Sequence, residues 1–90
     1  GMMYAAVICR DKPGALDLRM ENRPAHLAYL GESKVAFAGP FIVDGSPGGS
    51  LVVIEADDLA AAETWAANDP YAKAGLFETV EIHEWRKVIG

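Results

Sequence analysis

Val35-Ala36-Phe37-Ala38-Gly39-Pro40-Phe41-Ile42-Val43, then Asp44-Gly45-Ser46-Pro47-Gly48-Gly49, then Leu51-Val52-Val53-Ile54-Glu55-Ala56 occupy the middle of the chain. The outer two segments are apolar and rich in β-branched and aromatic residues, the composition of strands. The segment between them is dense in turn formers, so the unit reads as a β-hairpin whose turn covers 44–49. Gly39-Pro40 inside the first strand implies a bend or bulge there.

Outward from this hairpin the pattern is symmetrical. Upstream, Met3-Tyr4-Ala5-Ala6-Val7-Ile8-Cys9 reads as a strand that ends in the turn cluster Arg10-Asp11-Lys12-Pro13-Gly14. Ala15 to Leu30 is rich in helix formers but contains Pro24. An interior proline costs about 3 kcal/mol, whereas a first turn accepts one. The segment therefore reads as two helical pieces, over about 14–21 and 23–32, with Asn22 or Arg23 capping the second. Downstream, Asp57-Asp58 offers N-caps for an alanine-rich helix over Leu59–Ala67, which Asn68-Asp69-Pro70 stops. One further helical turn fits Pro70–Gly75, and Phe77–Val88 reads as the last strand.

The order β-α-β-β-α-β defines an α+β, ferredoxin-like fold: an antiparallel four-stranded sheet with its helices on one face. Alternation places Val35, Phe37, Phe41 and Val43 on one side of their strand and Ala36, Ala38 and Ile42 on the other. Leu51 and Val53 likewise oppose Val52 and Ile54. Both sheet faces are then apolar, while helices cover only one, so a homodimer packing sheet against sheet is expected.

At 90 residues and 51% hydrophobic content the chain is one domain, taken as 2–90, with Gly1 before Met2-Met3 read as an expression remnant. The formal net charge is −5 and the pI about 4.8, without the basic stripe that a nucleic-acid or anionic-membrane binder carries. The single cysteine, Cys9, excludes an internal disulfide and a cysteine-cluster metal site, and its apolar run assigns it to the core. With no secretory signal or spanning segment in view, a cytoplasmic setting is expected.

Few residues remain for chemistry. His26 shares a helical side with Arg19, Asn22, Arg23 and Tyr29, while Leu27 and Leu30 serve the core. Asp69 precedes a proline, the usual arrangement of an N-cap and a first turn. In a ferredoxin-like fold both helices lie on one sheet face, so a carboxylate at the end of the second helix can reach the first. Bonded to one nitrogen of His26, it would fix the tautomer and leave the other nitrogen as an acid or base. His83, beside Glu81, reads as a half-exposed strand residue, and Trp65 and Trp85 as anchors. Two histidines without helical ligand spacing make no metal site, and no phosphate-binding loop or nucleophile elbow is present.

Arg23-Pro24-Ala25-His26-Leu27-Ala28-Tyr29-Leu30, Gly39-Pro40 and Asn68-Asp69-Pro70-Tyr71, in this order, resemble the YciI-like (YCII-related) family over nearly the whole chain. The resemblance implies membership of the dimeric α+β barrel group and a His–Asp active site that falls on His26 and Asp69. Gly39 and Pro40 match the family's strand-end turn near its pocket, and Pro70 and Tyr71 its Asp-Pro-Tyr element. A cofactor-independent enzyme is therefore expected, lyase- or isomerase-like, acting on a small organic and possibly ring-containing substrate. His26 and Asp69 would be catalytic, with Arg19, Arg23, Tyr29, Gly39, Pro40 and Tyr71 around the ligand and no metal. The alternatives are a dimeric ligand-binding or regulatory module using the same pocket, and a scaffold in which the pair merely joins two helices.

Overall fold

The computed structural model describes residues 2–90. Strand β1 (Met3–Asp11) leads into helix α1 (Leu16–Gly31), which is followed by the hairpin β2 (Val35–Val43) and β3 (Ser46–Ala56). Helix α2 (Leu59–Ala67), the single turn α3 (Pro70–Lys73) and β4 (Phe77–Trp85) complete the chain. The strands form one antiparallel sheet in the order β2-β3-β1-β4, giving the ferredoxin-like α+β arrangement expected from the element order. Among the described residues no helix is long and apolar enough to cross a membrane.

The core lies between the sheet and the helices. Ala5, Val7 and Cys9 of β1 and Val52 and Ile54 of β3 meet Ala62 and Ala66 of α2, with Leu30 of α1 packed alongside. Asp58 caps α2 as expected, its side chain accepting the backbone N–H of Ala61 at 2.8 Å.

Four expectations are corrected. Helix α1 is continuous through Pro24 rather than split in two, and Asn22 donates to the Leu18 carbonyl inside it instead of capping a second piece. Pro24 and Met20 are exposed, so water can take the hydrogen bond that the Met20 carbonyl loses. The unbroken helix in turn buries Arg19 and His26 on its inner side.

The hairpin turn is shorter than 44–49. Asp44 (φ 50°) and Gly45 (φ 84°) reverse the chain by themselves, both in the left-handed region that a two-residue hairpin loop requires. Ser46-Pro47-Gly48-Gly49 thus belongs to β3. Pro47 is tolerated because β1 stops pairing at Arg10–Gly49, leaving no strand to receive its missing N–H on that side. A side chain at Gly49 would strike the Cys9 carbonyl, so the close β1–β3 approach requires glycine.

The last strand ends at Trp85 rather than Val88, because its pairing with β1 stops at Tyr4–Trp85, one residue from the start of β1 at Met3. A register shift between Val35 and Phe37 separates these two residues to opposite faces. Val35 pairs with Ile54 and packs on the helix-side core, whereas Phe37 pairs with Val53 on the open face. There Trp85 meets Tyr4 and Phe37, with ring centroids 6.0 and 5.7 Å apart, on the face where Ala6 and Val53 are buried.

Candidate active site

Helix α1 presents Arg19, Met20, Arg23, His26, Leu27 and Leu30, spaced three or four residues apart, to one side. Ala38, Gly39 and Pro40 of β2, Pro47, Ser50 and Val52 of β3, and Tyr71 of α3 close the opposite side. Together they enclose a cavity of about 380 Å³.

At its inner end Asp69 is the N-cap of α3, and its Oδ1 accepts the Tyr71 backbone N–H at 2.9 Å. The same oxygen lies 2.8 Å from His26 Nδ1, with both side chains buried. An ionised carboxylate only accepts, so Nδ1 carries the proton, and Nε2 has no hydrogen-bond partner among the described residues. The Tyr71 ring stacks on the imidazole, centroids 3.9 Å apart and planes within 11°. Capping and orienting are thus done by one oxygen, and α3, although a single turn, sets both partners of the histidine.

Arg19 forms a second buried network. Its Nε donates to Asp11 Oδ2 at 2.8 Å, Nη2 to the Gly49 carbonyl and Ser50 Oγ at 2.6 Å each, and Nη1 to the Tyr71 hydroxyl at 3.4 Å. Its guanidinium carbon lies 4.7 Å from the Tyr71 ring centroid. Tyr71 is therefore held between a guanidinium and an imidazole. Burial raises its phenol above the ordinary range and Asp69 adds to this, while the charge and hydrogen bond of Arg19 and the charge of Arg23 act the other way. The Cys9 thiol is pushed up to about 12, first by burial and then by Asp69 and Asp11, so it stays a neutral core group.

The structure brings His26, Asp69, Arg19, Arg23, Gly39, Pro40 and Tyr71 to one place and leaves Tyr29 out of it. The Tyr29 hydroxyl donates to the Trp65 carbonyl at 2.8 Å and its ring stacks on Trp65, tying α1 to α2 instead of facing the cavity. Sequence reading missed Asp11 and Ser50 as partners of Arg19, and Met20, Leu27 and Val52 as apolar walls. The wall on α1 follows from helical spacing with Arg23 and His26, a signal present in the sequence. His83 is exposed, 3.5 Å from Glu81 and on the sheet's open side. Among the described residues no three His, Cys, Asp or Glu side chains gather as a metal site would require.

The ferredoxin-like arrangement of sheet and helices places the chain among small α+β proteins. The model of the YCII-related domain matches residues 3–86, and the chain belongs to that family. It is 38% identical over 98 residues to Protein YciI of Escherichia coli O6:H1 (strain CFT073), covering 97% of this chain and 99% of that one. An uncharacterized protein of Haemophilus influenzae is 36% identical over 97 residues, covering 96% and 99%. Among solved structures, 5-chloro-2-hydroxyhydroquinone dehydrochlorinase (TftG) from Burkholderia phenoliruptrix AC1100, in complex with 2,5-dihydroxybenzoquinone, superposes with a TM-score of 0.89. It is 33% identical, with 93% of this chain and 94% of that one covered. An antibiotic biosynthesis monooxygenase, at 14% identity and a TM-score of 0.59, shares the fold.

Proposed function

We propose that the protein is an acid–base enzyme of lyase or isomerase type, acting on a small oxygenated ring compound with its own side chains. The observation that carries this reading is the 2.8 Å contact of His26 Nδ1 with Asp69 Oδ1 at an apolar cavity, with Nε2 free of any described partner. In that arrangement Nε2 takes a proton from bound substrate, and the Asp69 carboxylate stabilises the imidazolium that forms. Returning the proton to another atom completes an isomerisation, and loss of a leaving group completes an elimination. The dehydrochlorinase similarity supports the second outcome and a ring substrate.

The test is incubation of the purified protein with a panel of hydroxylated and chlorinated hydroquinones, 5-chloro-2-hydroxyhydroquinone included, followed by mass spectrometry and chloride assay. A new product is expected. Saturable binding with every compound recovered unchanged would replace the enzyme by a binding module.

We also propose that the protein is a homodimer joined through the open sheet face. Phe37 is 44% exposed there, beside half-buried Ile8, Leu51 and Phe41, an apolar surface that a second sheet would cover. Light scattering at micromolar concentration should give twice the 9.6 kDa chain mass, and a mass of one chain would overturn the dimer. A cytoplasmic setting is proposed as well, on the free, buried thiol of Cys9.

A further inference from the structure

The chain is acidic, with a net charge of −5, yet among the described residues no carboxylate lines the cavity. Its lining side chains that can carry positive charge are Arg19, Arg23 and His26. Two of these are already answered by the protein. His26 is bonded to Asp69, and Arg19 is paired with Asp11 and gives three of its other four N–H groups to Gly49, Ser50 and Tyr71. Arg23, one turn beyond Arg19 and three residues before His26, makes no side-chain hydrogen bond or ion pair with any described residue. It is exposed at the cavity mouth, and its charge reaches the Tyr71 phenol deeper in. Among the described residues the cavity thus holds one uncompensated cation, above walls formed by Met20, Leu27, Pro40 and Val52.

An arginine in this position favours an anionic oxygen, to which its planar fork donates charge-assisted hydrogen bonds. The apolar walls favour an uncharged carbon body. We infer that the cavity selects a small monoanion, an apolar or aromatic body bearing one carboxylate, phenolate or enolate, and that Arg23 is the residue that reads its charge. Arg19, which the sequence also placed around the ligand, has its charge met by Asp11 and most of its donors taken by the protein. The inference deepens the acid–base reading and rests on it for the chemistry, but its consequence for binding stands apart from turnover.

The probes are 2-hydroxy-5-methoxy-1,4-benzoquinone, whose single acidic enol makes it a monoanion near neutral pH, and its neutral methyl ether, titrated calorimetrically into the full chain. Wild-type protein should bind the anion at least about tenfold more tightly than the ether, the range of a hydrogen bond to a charged group, and added salt should narrow the gap. Arg23→Gln should lose that preference by weakening the anion alone, and Arg23→Lys should keep part of it. Circular dichroism checks that both variants, altered at an exposed position, remain folded. Equal affinity for the two probes, undetectable binding of both at millimolar concentration, or an unchanged preference in Arg23→Gln would each overturn the inference. A charge preference that depends on Arg23, with no compound of the hydroquinone panel turned over, would uphold it and remove the acid–base reading instead.

Discussion

Asp69→Asn should lower turnover about 10²–10⁴-fold on whichever compound the wild-type protein converts. The carboxylate has two tasks at His26. It holds the proton on Nδ1, and its charge stabilises the imidazolium once Nε2 has taken a proton. An asparagine that keeps its oxygen toward Nδ1 preserves the first task and loses the second. One that turns its amide nitrogen inward moves the histidine proton to Nε2, and the base is then blocked. Removing the imidazole with His26→Ala should cost at least as much, and the double variant should be little worse than His26→Ala, because the two groups act as a unit. Imidazole nitrogen chemical shifts read the tautomer directly: protonated Nδ1 and bare Nε2 at His26 in the wild type, with exposed His83 as the internal reference. Asp69→Asn retaining turnover within a few-fold of wild type would remove Asp69 from the mechanism.

The reach of the sequence is uneven for physical reasons. The hairpin and the β-α-β-β-α-β order were legible because each element carries its own period and its own punctuation. The His26–Asp69 contact spans 43 positions, yet it was accessible because the Asp-Pro pair pinned Asp69 to the start of α3, and the fold puts that point beside α1. Pro24 misled because propensity weighs the lost hydrogen bond but not the packing that keeps the helix going. Val35 and Phe37 were assigned to one face because strict alternation has no term for a bulge. Asp11 was read as a turn residue and Arg19 as a ligand-facing cation. Their pairing crosses the loop between β1 and α1, where neither helical nor strand spacing applies, and burial of an arginine depends on partners from three separate elements. Tyr29 has the spacing of a site residue, but α1 also packs on α2, and its hydroxyl found the Trp65 carbonyl there.

That misread pair also gives the largest expected effect on stability. Arg19→Met keeps the length of the side chain and removes its charge and donors. Asp11 would then be a buried carboxylate without a counterion, and its Oδ1 has no partner among the described residues even with Arg19 in place. The Gly49 carbonyl and Ser50 hydroxyl would lose their donor, and Tyr71 the cation beside its ring. Breaking a buried ion pair from one side costs about 3–5 kcal/mol, a large part of the roughly 5–15 kcal/mol that stabilises a domain. Urea unfolding should show this loss, with a fall in Tm of about 10 °C or more. Replacing both partners, Asp11→Asn with Arg19→Met, should recover a substantial part, because the uncompensated charge rather than the missing attraction dominates the cost. A loss below about 1 kcal/mol in Arg19→Met would mean that solvent reaches the pair and that Tyr71 is held in place by its stacking on His26 and the cap at Asp69 alone.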